Sequence, residues 1–151
     1  MKAVEHVPVE QTIQLYRSDL PRVLPIYLER AGYDLATNQN PINTRKIMPN
    51  SCIDFPLADL EGYSARYEWL SAVTRQPPIT NHANEITDKE SGHYVAWAHY
   101  DHKGHDAFVE YDSGTSKLHT DTASQVQKNV AQNSRLFIYE FRGLVKTKSA
   151  T

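Results

Sequence analysis

The fold is decided by two neighbouring segments, Ser91-Gly-His-Tyr-Val-Ala-Trp-Ala-His-Tyr100 and Ala107-Phe-Val-Glu-Tyr-Asp112. Both are rich in aromatic and β-branched residues, which favour β-strands. The polar residues 101–106 between them predict a turn, so the two strands form an antiparallel hairpin. Across this hairpin we expect Trp97 to face Phe108, because aromatic pairs stabilise antiparallel strands.

The predicted hairpin also brings an imidazole and a carboxylate together. With the turn centred between His102 and Lys103, His93 lies opposite Asp112. Opposed Cβ atoms are about 4.5–5.5 Å apart, so Asp112 can accept a hydrogen bond from one ring nitrogen of His93. That bond fixes the tautomer and leaves the other nitrogen free to act as a base. A satisfied polar contact at a strand end is the alternative, and a one-residue slip in register would separate the pair.

The remaining segments predict further β-structure and one helix. The predicted elements are strands over 11–17, 20–28, 45–55, 67–74 and 135–141, a turn over 57–63, loops over 32–44 and 75–91, and a helix over 122–130. Pro25 favours either an edge position or a bulge for the second strand. Thr122 begins a capping-box pattern, and the spacing of Val126 and Val130 predicts that both face a core. The sequence therefore predicts an α+β fold, mainly antiparallel β, in one domain over 1–151, with flexible tails at 1–10 and 143–151.

Composition excludes several classes of function. The chain has 151 residues, 40% of them hydrophobic, which suffices for a core. A formal charge of −2 gives no basic surface for nucleic acid or an anionic membrane, and no apolar run is long enough to span a bilayer. Cys52 is the single cysteine, so a disulfide framework and a cysteine-based zinc site are both excluded within these residues. With no signal-peptide pattern at the start, we expect a cytoplasmic or nuclear protein that uses no cofactor.

Five segments, in order, resemble the C-terminal half of the ubiquitin-specific protease (USP) domain, a papain-like thiol protease. The segments are Leu20–Arg30 (LPRVLPIYLER), Arg45–Leu60 (which holds RKI and DFP), Ser91–Trp97 (SGHYVAW, like the histidine box), Phe108–Asp112 (FVEYD, like the box that follows) and Leu136–Phe141 (LFIYEF, like the terminal strand). The resemblance covers roughly residues 11–142. It implies that the chain is the palm-like half of such a domain.

The resemblance also implies roles for individual residues. His93 corresponds to the general base and Asp112 to the residue that orients it. Gly92 corresponds to a position beside the narrow channel for the Gly-Gly end of ubiquitin, where only glycine leaves room for the backbone. Tyr94 either packs beside that channel or belongs to the core. Ser113 stands where the family usually has a second acidic residue.

The nucleophile of the family is absent from these residues. Nothing in the sequence resembles the family's cysteine box, a GNTCYMNS-like segment. Cys52 lies in a strand-like run, Ser51–Pro56, and is predicted to be a small buried hydrophobe and not a nucleophile. The chain alone is therefore predicted to be inactive, since a His–Asp pair cannot form the acyl-enzyme.

Three functions agree with this pattern. The first is the His/Asp-bearing part of a thiol-dependent deubiquitinase that hydrolyses ubiquitin isopeptide or peptide bonds, with the nucleophile supplied elsewhere. The second is a catalytically inactive USP-like module, a pseudoprotease, that binds ubiquitin or a protein partner. The third is a structural subunit, which exposed apolar surface would favour. The expected partners are ubiquitin or a ubiquitinated protein and, for the first function, a second chain that carries the cysteine-box half.

The histidines of the predicted turn invite a metal interpretation. His99, His102 and His105 are separated by two residues each, with Asp101 and Asp106 nearby. On a helix this spacing would bring neighbours onto one face, but in a turn it does not predict a shared site. We therefore predict solvated loop histidines and no metal.

Overall fold

The computed structural model describes residues 14–30, 45–76 and 93–147. The strands are β1 (Val23–Tyr27), β2 (Cys52–Pro56), β3 (Tyr63–Arg75), β4 (Tyr94–His102), β5 (His105–Asp112), β6 (Thr115–His119) and β7 (Ser134–Lys146), with a helix α1 (Ala123–Asn133) and a 3-10 turn (Arg17–Asp19). The predicted loop over 32–44 and the predicted N-terminal tail lie outside the described residues. The fold class agrees with the prediction: one mainly antiparallel sheet and one α-helix.

The long strand β3 organises the sheet. The strand order is β1-β7-β3-β4-β5-β6, and β2 also pairs with β3. Strand β2 lies beside residues 64–68 of β3, and β4 lies beside residues 71–75, so the two share one edge of the long strand. β1 pairs with β7 alone among the described strands, so the edge position that Pro25 predicted is confirmed.

Helix α1 covers one face of the sheet. Val126 and Val130, spaced by four residues, are buried there as predicted, at 5% and 0% exposed. Six aromatic side chains of the sheet belong to the same core: Tyr67, Trp69, Trp97, Phe108, Phe137 and Tyr139. Trp97 donates its indole N–H to Thr74 Oγ1 at 2.9 Å, so its one polar atom is satisfied inside the core.

Arg30 ties the end of β1 to the end of α1. The residue is 3% exposed, and its guanidinium donates hydrogen bonds to three carbonyl oxygens: Ala131 O (2.9 Å), Ser134 O (2.7 Å) and Arg45 O (2.6 Å). The carbonyls at a helix C-terminus have no partner within the helix, and a cation there complements the helix dipole. Burial, and next the charge of Arg135, lower the pKa of Arg30.

Three local predictions need correction. The strand predicted over 11–17 does not form in its described part, because residues 14–17 contain one isolated bridge, from Leu15 to Leu57, and the start of the 3-10 turn. Strand β6 was not predicted, because Thr115-Ser-Lys-Leu-His119 carries a weak β signal. It forms because Ser113 and Gly114, at φ 47° and 84°, make a tight turn that folds the chain back on β5. The predicted capping box does not form either. The side chain of Thr122 makes no capping hydrogen bond and instead contacts His119 Nδ1 at 2.9 Å.

The last strand continues through residues 143–146, within the segment that was predicted to be a tail. The N–H of Thr147 donates to Gly62 O at 2.8 Å, so the pairing extends one residue beyond the strand. Organisation of residues 1–151 as one domain remains a prediction.

Candidate active site

The β4–β5 hairpin turns one residue later than predicted. Lys103 and Gly104 form the turn, with φ of 56° and 82°, and His102 pairs with His105. Two positive φ angles in a two-residue loop match the primed turn that suits the strand twist. The predicted register is therefore wrong by two residues, and Trp97 faces Glu110.

This error leaves the two predicted site residues on the same face. Side chains alternate between the faces of a sheet with a period of two, so an offset of two preserves the face and moves the partner along the strand. His93 Nε2 lies 2.5 Å from Asp112 Oδ1. The imidazole reaches the carboxylate diagonally, because Tyr111 pairs with Ala96 and the next opposed position on β4 is Val95.

Backbone contacts hold both residues in place. His93 lies one residue before β4, and its carbonyl accepts a 2.7 Å hydrogen bond from the N–H of Gln76, which follows β3. Asp112 is the last residue of β5, and its carbonyl accepts a 2.7 Å hydrogen bond from Thr115 Oγ1. The pair therefore lies where two strand ends meet, with side chains 51% (His93) and 33% (Asp112) exposed.

Ser113 is a second donor to the carboxylate. Its hydroxyl donates to Asp112 Oδ1 at 2.9 Å, from a backbone held at positive φ by the β5–β6 turn. The hydrogen bond from Ser113, and next that from His93, lower the pKa of Asp112 below its ordinary value. Asp112 is therefore ionised at neutral pH and can orient an imidazole and stabilise its protonated form.

The geometry leaves one nitrogen of the imidazole available. Nε2 of His93 is occupied by Asp112, whereas Nδ1 has no hydrogen-bond partner among residues 14–30, 45–76 and 93–147. The ring is half exposed, so a reacting group can approach it from solvent. An oriented imidazole with one free, accessible nitrogen can take a proton from a thiol, which is general-base chemistry.

Two further histidine–carboxylate pairs lie on the same face, and the sequence analysis missed both. His99 Nε2 contacts Asp106 Oδ1 at 2.7 Å, and His119 Nε2 contacts Glu110 Oε2 at 2.6 Å. Strand alternation could have found them, since Glu110 and Asp106 share the face of Asp112 along β5.

Access distinguishes His93 from these two histidines. The His99 side chain is 17% exposed and its ring stacks on Trp69, with centroids 4.4 Å apart. The His119 side chain is 12% exposed, and both of its nitrogens are engaged, by Glu110 and Thr122. Of the three paired histidines, His93 alone combines an oriented ring with an unbonded nitrogen on a half-exposed side chain.

The other predicted site residues are placed as follows. Gly92 lies outside the described residues. Tyr94 is 55% exposed on β4, which excludes the core position that the sequence left open. Its side chain lies on the face opposite to that of His93, because adjacent strand residues alternate. His99 lies on β4 and is largely buried beside Trp69, so the prediction of a solvated loop position is wrong for this residue.

Cys52 is far from the pair. It begins β2 and faces Glu68 of β3, whereas the backbone of His93 bonds Gln76 at the other end of β3. Eight residues of strand at about 3.3 Å each separate these points by roughly 25 Å. Cys52 therefore cannot serve His93 as a nucleophile within one chain. It is also exposed, so the prediction of a buried hydrophobe is wrong, although the strand position is confirmed.

The described residues bear on two further kinds of site, a metal centre and a membrane-spanning helix. Among them, no group of three or more histidine, cysteine, aspartate or glutamate side chains is arranged to hold a metal ion. Across the same ranges, α1 is too short and too polar to cross a bilayer.

Comparison with solved structures places this geometry in a known fold. Neither a protein-family model nor a curated protein matches the chain. A structure of the yeast SAGA DUB module matches with a TM-score of 0.57 and 17% identity, over 83% of this chain and 24% of the other. A SAGA DUB module that contains Ubp8 and is bound to monoubiquitin matches with a TM-score of 0.58 and 18% identity, over the same shares of the two chains.

The chain has a USP-like fold. It spans about a quarter of the length of the chains that it matches. The TM-scores of 0.57 and 0.55 establish the fold; because the identities are only 17% and 20%, activity has to be argued from the site.

Proposed function

We propose that this chain is the His/Asp-bearing part of a thiol-dependent deubiquitinase, in which His93 is the general base and Asp112 orients it. The observation that carries the proposal is the 2.5 Å contact between His93 Nε2 and Asp112 Oδ1, with Nδ1 free in a half-exposed ring. The USP-like fold supports the substrate class, since one of the similar structures is a DUB module bound to monoubiquitin. A cytoplasmic or nuclear location belongs to the same proposal.

The nucleophile comes from outside these 151 residues. The single cysteine, Cys52, lies roughly 25 Å from His93, a distance that no side-chain rotation closes. A cysteine-box polypeptide, either in a second chain or joined to this one, would place its thiol beside Nδ1 of His93. The imidazole then takes the thiol proton, the thiolate attacks the carbonyl of the ubiquitin C-terminal glycine, and the imidazolium returns the proton to the leaving amine.

The test is reconstitution. The purified chain is mixed with the cysteine-box half of a ubiquitin-specific protease, and hydrolysis of a fluorogenic ubiquitin C-terminal amide is followed. We expect hydrolysis in the mixture and none with either part alone. His93→Ala should lower the rate by about 10²–10⁴-fold, because that is the usual contribution of a general base. His105→Ala is the matched control, since His105 is an exposed histidine of the same hairpin.

A second candidate function is a USP-like module that binds ubiquitin or a protein partner without catalysis. A row of side chains that crosses the sheet on the face away from α1 favours it: Tyr27, Leu136, Val73, Ala96 and Tyr111. The two tyrosines at its ends are 69% (Tyr27) and 52% (Tyr111) exposed, and contiguous exposed apolar surface of this kind is typical of protein-interaction sites.

Titration of the isotope-labelled chain with ubiquitin separates the two functions. Shifts near His93 together with reconstituted hydrolysis support the protease part. Ubiquitin binding that survives His93→Ala, with no hydrolysis for any cysteine-box partner, supports the binding module. Absence of both signals contradicts the two proposals together.

A further inference from the structure

Two tight turns of the sheet share one strained backbone form. The β4–β5 turn has Lys103 and Gly104 at φ 56° and 82°, and the β5–β6 turn has Ser113 and Gly114 at φ 47° and 84°. Glycine adopts a positive φ readily, whereas a lysine or a serine in this region is strained. Lys103 and Ser113 are the two residues other than glycine with a positive φ in the described part of the chain. The two turns therefore carry a similar backbone strain and differ in what the strained side chain contacts.

The side chain of Ser113 has a partner at the candidate active site. Its hydroxyl donates to Asp112 Oδ1 at 2.9 Å, and this is the oxygen that His93 Nε2 contacts at 2.5 Å. Lys103 makes no side-chain hydrogen bond or ion pair within residues 14–30, 45–76 and 93–147. The contact with the carboxylate therefore distinguishes the strained residue of the β5–β6 turn from that of the β4–β5 turn.

Two hydroxyls of the β5–β6 turn hold Asp112 at different points. Thr115 Oγ1 donates to the Asp112 carbonyl at 2.7 Å, which fixes the backbone but leaves the carboxylate free to rotate. His93 and Ser113 are the two side chains that donate to the carboxylate within the described residues. If His93 were the sole donor, the ring and the carboxylate could turn together. Orientation of the ring therefore needs a second anchor on the carboxylate, and the hydroxyl of Ser113 is that anchor.

The charged groups around Asp112 do not replace this anchor. Glu110 and Lys117 face each other across the β5–β6 ladder, two residues along their strands from Asp112, and the Glu110 carboxylate contacts His119 Nε2 at 2.6 Å. The hydrogen bond from Ser113 is the largest cause of the lowered pKa of Asp112, and the bond from His93 follows. The Ser113 hydroxyl is therefore the main contact that stabilises the ionised carboxylate.

We propose that Ser113 is a positioning residue, whose hydroxyl holds the Asp112 carboxylate in the orientation that fixes the His93 ring. This role rests on the proposed function and adds a residue to it. The USP family usually has an acidic residue at this position, and an ionised carboxylate accepts hydrogen bonds but cannot donate one. The role therefore follows from the serine of this chain.

Glycine in place of each strained residue separates the effect of the hydroxyl from that of the backbone. Neither Ser113→Gly nor Lys103→Gly should lower the urea midpoint, because relief of strain offsets the greater freedom of glycine in the unfolded chain. In the reconstituted mixture, Ser113→Gly should lower kcat about tenfold and leave KM unchanged, which is the low end for loss of a hydrogen bond to a charged group. Lys103→Gly is the matched control and should leave kcat unchanged.

A conservative variant tests the hydroxyl in the opposite direction. Ser113→Thr keeps the hydroxyl, but its β-branched side chain fits a positive φ poorly. We therefore expect Ser113→Thr to recover most of the rate that Ser113→Gly loses and to lower the urea midpoint. A merely structural role would instead make rate and stability fall together.

Two NMR measurements on the chain alone need neither a partner nor hydrolysis. The carboxyl carbon signal of Asp112 should titrate at a higher pH in Ser113→Gly than in the wild type, since the hydroxyl that lowers the pKa of Asp112 is gone. The ring nitrogen signals of His93, recorded where the ring is neutral, should show one tautomer in the wild type and a mixture in Ser113→Gly. Lys103→Gly should behave as the wild type in both measurements.

These measurements separate the role of Ser113 from the proposed function. A wild-type mixture without hydrolysis would contradict the proposed function, and the two NMR measurements would then decide the role of Ser113. Unchanged carboxyl titration and ring tautomer in Ser113→Gly would overturn that role. Equal kcat for the two glycine variants in an active mixture would overturn it as well, as would a loss of rate that Ser113→Thr does not recover.

Discussion

Replacement of Arg30 by methionine tests how the helix is held on the sheet. Methionine has a similar length and no charge, so it occupies the same space without the hydrogen bonds. In the wild type the buried guanidinium donates to the carbonyl oxygens of Ala131, Ser134 and Arg45, at 2.9, 2.7 and 2.6 Å. The substitution leaves these three acceptors without that donor and removes a cation from the C-terminal end of α1.

The expected loss follows from these contacts. A hydrogen bond to a charged group contributes about 1.5–3 kcal/mol, so three at the low end contribute about 4.5 kcal/mol. Relief of the desolvation of the guanidinium offsets part of this sum, as the lowered pKa of Arg30 indicates. We therefore expect Arg30→Met to lower the free energy of unfolding by about 3 kcal/mol, a large share of the 5–15 kcal/mol that is typical of a domain. Arg30→Lys retains a cation but not the planar set of guanidinium donors, so it should lower the free energy of unfolding by about 2 kcal/mol.

Urea unfolding measures this loss directly. The fluorescence of the two buried tryptophans, Trp69 and Trp97, reports the loss of the core. Arg142→Met is the matched control, because Arg142 pairs with Glu68 and Glu140 at the surface and should contribute less than about 1 kcal/mol. If Arg30→Met lowered the free energy of unfolding by no more than Arg142→Met does, the contacts of Arg30 would not be what holds α1 on the sheet.

Three other predictions concern the site and its turn. Cys52→Ser should leave the rate of hydrolysis in the reconstituted mixture unchanged, and should change the free energy of unfolding by less than about 0.5 kcal/mol, because Cys52 is exposed and far from His93. Loss of hydrolysis in this variant would refute the assignment of an external nucleophile. The pKa of Asp112 is lowered in the folded state, so its contribution to stability is present above the ordinary pKa and is lost as pH falls through the lower folded value. Asp112→Asn should therefore lower the urea midpoint at about pH 6 and not at about pH 2, and an equal effect at both would contradict the ionised pair. Gly114 has a φ of +84° and open space around it, so Gly114→Ala should lower the free energy of unfolding in urea by about 1 kcal/mol through backbone strain alone. An unchanged free energy of unfolding would exclude the primed turn.

The pattern of residue types along the sequence was sufficient to predict an element where that pattern repeats along the whole element. The aromatic and β-branched run of β4, the i, i+4 valines of α1 and the proline of β1 predicted their elements and their faces, because periodicity reports burial directly. The same patterns did not predict β6, whose polar residues are held by the turn before them. They also misplaced the capping contact of Thr122, since its hydroxyl has a tertiary partner in His119.

The sequence by itself determined that one imidazole and one carboxylate share a face at the end of a hairpin. An error of two residues in register could not separate them, because strand side chains repeat with a period of two. Only the tertiary structure decided which histidine is available, since the stacking of His99 on Trp69 and the double engagement of His119 depend on contacts between elements.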